Sequence, residues 1–419
     1  MSIIQLRQNT WLWLLPFLLL YAGIVWLTSS PDLMGDEGRY LAFAGNLLRG
    51  YYSPQNEFSL WNGPGYPLAL APLLAVGAPR FFLLLANALF HYLSVVFLLK
   101  TLRLLVSQKT AIVLTIGWGL YYTAYETLPY VLSDTFATFL TSLAAYFTIK
   151  SLNTGNTLWK AGLCWGWLLL TKVIFAYVIP VVIVLLFIKI ILNRFDATAL
   201  KTLAIFGIAY LVCLPYLWYT HNLTGRWYYW SDSGGMSLYW MSTPYPEEYG
   251  DWNNERFVGY FKDMQLGDAA TAALKARHQA NFDYIYQFEG PARDDAFKQK
   301  AIAHIKAHPG KYALNCLANT CRLFFGFPIS YVGLKFHYLI RIIPGAILLT
   351  IMLLSLALTP KYWRKMPPSI QLCFVAGMVY LGESMLLSAY PRMLSVILPL
   401  LLCWIGYVLD KGVLIRLTQ

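Results

Sequence analysis

Ten stretches of largely apolar residues recur along the chain, near 11–28, 81–99, 110–126, 131–149, 158–171, 173–190, 202–219, 341–358, 369–389 and 392–409. A helix that crosses a bilayer needs about 20 such residues. Inside lipid it must also satisfy every backbone N–H and C=O within itself, which leaves helices as the spanning form for segments like these. The pattern predicts an all-α polytopic membrane protein. Composition supports this: 58% of residues are hydrophobic and 12% charged, where an ordinary soluble domain has about 25% charged. A soluble enzyme, a disordered chain and a nucleic-acid binder are thereby excluded, although the net charge is +12. The six Cys include no CxxC pair, so neither a disulfide scaffold nor a zinc cluster is indicated.

The basic residues assign the sides. Lys and Arg concentrate in cytoplasmic connections. With the N-terminus inside, the inner segments carry Arg7, Lys100, Arg103, Lys109, Lys150, Lys160, Lys189, Arg194, Lys201, Lys361, Arg364, Lys365, Lys411 and Arg416, against only Asp196 and Asp410. Both termini are then cytoplasmic. The first stretch has one basic residue before it and no small-residue cleavage site after it, so it reads as a retained anchor rather than a signal peptide. Residues 158–190 are short for two crossings, but one crossing would put Lys160 and Lys189 on opposite sides.

This topology divides the chain into a transmembrane module over 1–219 with a first outer loop at 29–80, an outer helical subdomain over 220–340, and final spans over 341–419. Residues 66–78 are apolar but short and contain Pro67 and Pro72, which fits an interfacial or re-entrant helix.

Charge beside a span is costly and points to function. The candidates are Asp36, Glu37, Glu126, Asp134, Lys172, Glu383 and Arg392, all placed at or just beyond outer span ends. A transport path needs polar groups through the membrane's depth, whereas this pattern suits a reaction site at the outer lipid–water boundary. Each candidate also has an ordinary structural role. Asp36 can cap a helix whose apolar stripe is Tyr40, Phe43, Ala44, Leu47 and Leu48, with Glu37, Arg39, Asn46 and Arg49 on the polar side. Asp134 can likewise open its helix after Ser133. Lys172 and Arg392 can snorkel to headgroups; converging on one anion, they would instead form a phosphate clamp. The Asn62-Gly63-Pro64-Gly65-Tyr66-Pro67 turn lets the backbone approach something closely. His304 and His308 have i, i+4 metal-ligand spacing but no third ligand. The outer-face sequon at Asn222, the pair Cys316 and Cys321, and the aromatic run Tyr216, Trp218, Tyr219, Trp227 to Trp230, Tyr239 and Trp240 read as bland features, the last as an interfacial belt.

Taken in order, several pieces resemble one family: Gly35-Asp36-Glu37 with Tyr40, Gly50-Tyr51-Tyr52-Ser53, Gly63-Pro64-Gly65-Tyr66-Pro67, Ser133-Asp134, Leu170-Thr171-Lys172, Asn222 to Arg226 with Gly234-Gly235, His308-Pro309-Gly310-Lys311-Tyr312, and Arg392 to Pro399. The chain is similar to the polytopic GT-C membrane glycosyltransferases. The nearest branch is the bacterial group related to protein O-mannosyltransferases (dolichyl-phosphate-mannose-protein mannosyltransferase-like) and to the lipid A aminoarabinose transferase. Two positions depart from it. Lys172 stands where the family commonly has Arg, and Asn62-Gly63 stands where the aminoarabinose branch has acidic and basic residues.

The resemblance implies a GT-C-like bundle of about ten transmembrane helices with outer-face amphipathic helices. It implies transfer of a sugar, with inversion, from a polyprenyl-phosphate donor to a glycolipid, polysaccharide or protein acceptor at the outer face of a bacterial inner membrane. Asp36 would be the base, with Glu37 second. Asp134 and Tyr40 would position the acceptor, and Lys172 and Arg392 would hold the donor phosphate. No metal site is assigned; a divalent cation near Asp134 stays open as a cofactor. Two other readings are a lipid-linked oligosaccharide transporter or polymerase, and an assembly subunit without catalysis. Asp36 and Glu37 in the first outer loop, with one large late outer domain, favour the transferase.

Overall fold

The computed structural model describes residues 10–54, 57–193, 197–253 and 266–412. Arg7, Arg194, Asp196 and Arg416, which entered the sidedness reading, lie outside them. Among the described residues the chain is helical, with no strand beyond a single bridge between Ile329 and Val332.

The helices, in chain order, are α1 (Leu15–Thr28), α2 (Glu37–Leu48), α3 (Gly65–Ala75), α4 (Arg80–Leu102), α5 (Gln108–Gly119), α6 (Ser133–Thr154), α7 (Leu158–Thr171), α8 (Ile174–Asn193), α9 (Ala197–Thr224), α10 (Gly234–Met241), α11 (Asp268–Ile285), α12 (Gly290–Ala307), α13 (Pro309–Phe325), α14 (Leu339–Tyr362), α15 (Pro368–Leu386) and α16 (Pro391–Gly412). Short helical pieces at Thr10–Trp13 and Tyr122–Tyr125 supplement them. Among the described residues six helices are long and apolar enough to cross a membrane: α4, α8, α9, α14, α15 and α16. The remaining apolar stretches of the sequence fold as α1, α5, α6 and α7, of which α1, α5 and α7 are shorter, so the chain is a polytopic helical membrane protein.

Lipid supplies no hydrophobic drive between helices, so close packing and interhelical hydrogen bonds hold such bundles together. Both are visible. Gly162 and Gly166, one turn apart on α7, let α9 approach; a Cβ at Gly166 would lie 2.7 Å from the Val212 side chain and 2.8 Å from the Ala209 carbonyl. Buried indole N–H groups bond across helices, Trp118 to Ser94 at 3.1 Å, Trp165 to Thr148 at 3.0 Å and Trp404 to Thr359 at 2.9 Å. α16 lies deepest, buried along nearly its whole length.

The basic connections meet at one end. Arg103 bonds Thr10, Asp410 accepts from Ser107 and Thr110, the Lys365 carbonyl accepts from Tyr407, and Lys201 reaches Gly155. The opposite end, called here the site end, carries α2, α3 and the domain built on α10 to α12. That domain has its own core of Met236, Tyr239, Trp240, Leu274, Phe282, Ile285 and Phe297. This corrects the belt reading: Trp230, Tyr239 and Trp240 are interior, while Trp218, Trp227 and Tyr228 stay exposed. A pattern of aromatics without helical phase cannot separate the two.

Beneath the domain, Arg322 of α13 is fully buried and spends its fork on carbonyls. It donates to Ala389, Tyr249, Pro328 and Gly250 at 3.1–3.2 Å and to Asn319 Oδ1 at 2.7 Å. Asn319 in turn accepts from the Ala389 N–H at 2.9 Å. These bonds fix the turn that enters α16.

Candidate functional site

Asp36 precedes α2, and its carboxylate does not cap the helix. It turns instead to the Arg39 guanidinium and, at 3.5 Å, to Arg392. Asp134, in the first turn of α6, also makes no cap; its Oδ1 takes Lys172 Nζ at 2.7 Å and its Oδ2 faces Arg392 at 3.6 Å. The capping role weighed for both acids is thus replaced by ion pairing. Arg392 reaches both carboxylates, so four residues named from sequence meet although they span positions 36 to 392.

Local sequence explains the meeting. The Leu170-Thr171-Lys172 turn ends α7, and the Asn62–Pro67 turn packs against it: a Cβ at Gly63 would fall on the Leu170 carbonyl and one at Gly65 would lie 2.7 Å from the Thr171 nitrogen. Trp167 donates its indole N–H to the Gly65 carbonyl at 2.8 Å. Only glycine admits such an approach, so this is the contact that the turn was expected to make. Tyr52 then holds Asn62 through its carbonyl at 2.6 Å, and Asn62 donates to the Tyr40 hydroxyl at 3.1 Å. Tyr40 shares a 2.7 Å hydrogen bond with Ser133, beside Asp134.

These groups line a cavity of about 420 Å³ at the site end. Asp36, Tyr40, Asn62, Lys172 and Arg392 form part of its wall, and Trp61, Trp252, Ser233 and Ser237 another part. Trp61 and Trp252 meet edge to face at 6.2 Å, and Arg39 lies over the Trp61 ring at 5.0 Å. Asp36, Lys172 and Arg392 are each about one-fifth exposed, while Asp134 is only 3% exposed. Burial raises the Asp36 carboxyl, but Arg39, Arg392 and Lys172 outweigh it and hold the group below its usual range. Asp36 is therefore a carboxylate at neutral pH. Burial and the two carboxylates hold the Tyr40 phenol above its usual range, so it stays a hydrogen-bonding hydroxyl.

Glu37 is placed differently. It is fully buried and pairs with Arg80 at 2.6 Å, while accepting from the Met34 and Val131 N–H groups at 2.8 and 2.7 Å. It is absent from the cavity wall. The polar face drawn for α2 is corrected accordingly: Glu37 and Asn46 are buried and Leu48 is half exposed. Arg80 at the start of α4 and Tyr52 after the helix supply the polar partners that make this burial tolerable.

Two cavity residues escaped or outgrew the sequence reading. Arg341, at the start of α14, pairs with Glu126 at 2.9 Å, and both line the wall. Arg341 opens the eighth apolar stretch, so the rule that flagged the other charges applied to it as well. Glu383 does not line this cavity.

A divalent cation does not fit. All four carboxylate oxygens of Asp36 and Asp134 already face Arg39, Arg392 or Lys172, and a metal would place a further positive charge among them. Among the described residues no group of three His, Cys, Asp or Glu could hold a metal ion. His304 is half-buried under Tyr239 and His308 is exposed.

No protein-family model matches the chain, and no curated protein is similar to it in sequence. Solved structures do match. The archaeal oligosaccharyltransferase AglB from Archaeoglobus fulgidus, in complex with an inhibitory peptide and a dolichol-phosphate, aligns over 97% of this chain with a TM-score of 0.53 and 11% identity. The chain spans only 50% of that protein's length. ArnT from Cupriavidus metallidurans, bound to undecaprenyl phosphate, aligns over 96% of this chain and 78% of its own, with a TM-score of 0.37 and 16% identity. The likeness to AglB is one of fold.

Proposed function

We propose that this chain is a membrane glycosyltransferase that moves a sugar from a polyprenyl-phosphate donor to an acceptor hydroxyl at the outer face of the membrane. The observation that carries the proposal is the single cavity in which a carboxylate, Asp36, opposes the cations Lys172 and Arg392. The site end is taken as the outer face because the short connections at the other end carry Lys and Arg almost without acids. In a bacterium this places the protein in the inner membrane with both termini cytoplasmic. The dolichol-phosphate held by AglB is a ligand of the same chemical class as the proposed donor.

The donor's phosphate sits against Arg392 and Lys172, its isoprenoid tail in the bilayer. Asp36 and Tyr40 orient the acceptor hydroxyl, with Asp134 behind them. As the acceptor oxygen bonds the anomeric carbon, its proton passes to Asp36. The bond from that carbon to the phosphate oxygen breaks on the opposite face, and polyprenyl phosphate leaves with the electron pair. One displacement inverts the anomeric centre. The cations act where leaving-group charge develops, which is where fixed charges lower a barrier most. Asp36 has a depressed affinity for protons, so it takes the proton only as the hydroxyl becomes acidic in the transition state. A cavity of this size matches small-ligand sites, which run from about 300 to 1,000 Å³.

The test is transfer from a radiolabelled polyprenyl-phosphate sugar in membranes that contain the protein and their natural acceptors. Asp36→Asn should lower transfer by at least about 100-fold with expression unchanged. Undiminished transfer by that variant would remove Asp36 as the base.

A further inference from the structure

Three cations, Arg39, Lys172 and Arg392, serve two carboxylates, Asp36 and Asp134. The contacts are unequal. Arg39 touches Asp36 directly and Lys172 holds Asp134 at 2.7 Å, within the range of charge-assisted hydrogen bonds, about 2.7–2.9 Å. Arg392 stands 3.5 Å from one acid and 3.6 Å from the other, too far for a tight bond to either. If it moved away, each acid would keep its close partner. Arg392 is therefore the surplus charge of the cluster, and one phosphodiester anion would balance it.

Its backbone cannot follow the side chain. Ala389, three residues earlier, is pinned through its carbonyl by Arg322 and through its N–H by Asn319. The Tyr390 side-chain hydroxyl accepts the Trp252 N–H at 2.9 Å, and the Met393 carbonyl accepts from Tyr380 at 2.9 Å. Any redirection of Arg392 is a side-chain movement about a fixed Cα, inside a cavity that it already lines.

We infer that Arg392 is handed from the Asp36–Asp134 pair to the donor phosphate, so that donor binding uncovers Asp36 for the acceptor and the enzyme binds donor before acceptor. This rests on the glycosyltransferase reading above. Without donor, Arg392 shares Asp36 with Arg39 and competes with any hydroxyl for its oxygens. With donor, its fork turns to phosphate oxygens, for which a planar guanidinium is well shaped, and the Asp36 Oδ2 is open to the acceptor. Water arriving before the donor meets an occupied carboxylate and no sugar to attack.

The inference makes an unusual demand: the carboxylate needed for transfer should weaken donor binding. The test measures the affinity of purified full-length protein in nanodiscs for undecaprenyl phosphate. Asp36→Asn should bind it roughly three- to tenfold more tightly than the unaltered chain, as expected when one competing charge is removed. In an Arg392→Gln background the same substitution should change the affinity by less than about twofold, because no shared guanidinium remains. Arg392→Lys provides a second background if the Gln variant does not stay monodisperse; with its fork lost, the gain should again shrink. Equal tightening with and without Arg392 would mean plain charge repulsion and would overturn the handover, as would no tightening at all. If the unaltered chain fails to bind undecaprenyl phosphate, the glycosyltransferase reading itself fails.

Discussion

Lys172 Nζ lies 2.7 Å from Asp134 Oδ1, joining the end of α7 to the start of α6. Asp134 is almost wholly buried and its other oxygen faces only the more distant Arg392. Removing Lys172 therefore leaves a buried carboxylate under-compensated, a change that costs several kcal/mol where no second cation is near. With Arg392 present, Lys172→Met should lower stability by about 2 kcal/mol, read by thermal unfolding in detergent. Adding Asp134→Asn should restore most of the loss, because the two side chains act as one unit.

Asp36 and Glu37 are adjacent but should fail in different ways. Glu37→Gln keeps the acceptor for one N–H but loses the charge on Arg80, so stability should fall by about 1–3 kcal/mol. Transfer per folded molecule should remain within a few-fold of normal. Asp36→Asn should do the reverse, and assays normalised to folded protein separate the two. A Glu37→Gln enzyme that is fully folded yet inactive would return Glu37 to the chemistry.

The Gly63–Gly65 turn carries no charge, yet it seats Lys172. A methyl group at Gly63 would meet the Leu170 carbonyl, a backbone atom that cannot step aside cheaply. Gly63→Ala should cost about 1–3 kcal/mol, the usual range for overpacking, and should weaken donor binding through the displaced Lys172. Gly77→Ala, strained by a φ of +68° but with open space around it, should leave donor binding unchanged.

Asp232 ties the first loop to the later domain by accepting the Leu60 N–H at 2.8 Å. Burial pushes its carboxyl up to about 6 from an ordinary 3.8. The folded chain then keeps a proton that the unfolded chain releases between these values. This group's contribution is therefore full at low pH, declines as pH rises from about 4 to 6, and levels off above. Asp232→Asn should be more stable than the unaltered protein at pH 7.5, by about 3 kcal/mol at most, with the gap closing toward pH 4.

Arg322 has all its donors occupied in a site of zero exposure. Arg322→Lys retains the charge but not the fork and should destabilise by at least about 3 kcal/mol. Its loss should also loosen Arg392, so residual folded protein should show weaker binding of undecaprenyl phosphate.

Much of this arrangement is legible before any coordinates. Apolar length marks the spans, the distribution of Lys and Arg sorts their ends, and the scarcity of charge near lipid leaves Asp36, Asp134, Lys172 and Arg392 as a short set of candidates. What resists reading is helix phase and three-dimensional partnership. Glu37 follows Asp36 directly, yet on a helix they point about 100° apart, and the residue that buries Glu37 is Arg80, 43 positions on. Arg39 reads from the sequence as part of a solvated face, and in the fold it lies over Trp61. The Tyr239 and Trp240 rings read as a belt because a domain core in a connecting segment has no periodic signature, and Trp230 does so because it packs into the bundle core from a connection. Arg341 was within reach of the same charge argument as its neighbours, since it opens its own span.

The cavity wall runs from Met34 to Met393 along the chain. A ribosome delivers these residues in order, and the helices enter the membrane as they emerge. Most of the wall can thus be made while the guanidinium of Arg392 does not yet exist. Until α16 has been made and inserted, Asp36 and Asp134 share only Arg39 and Lys172, and the nascent protein lacks the third cation that a lipid phosphate would seek. On the proposed reading, the donor seat is complete only once α16 is in place.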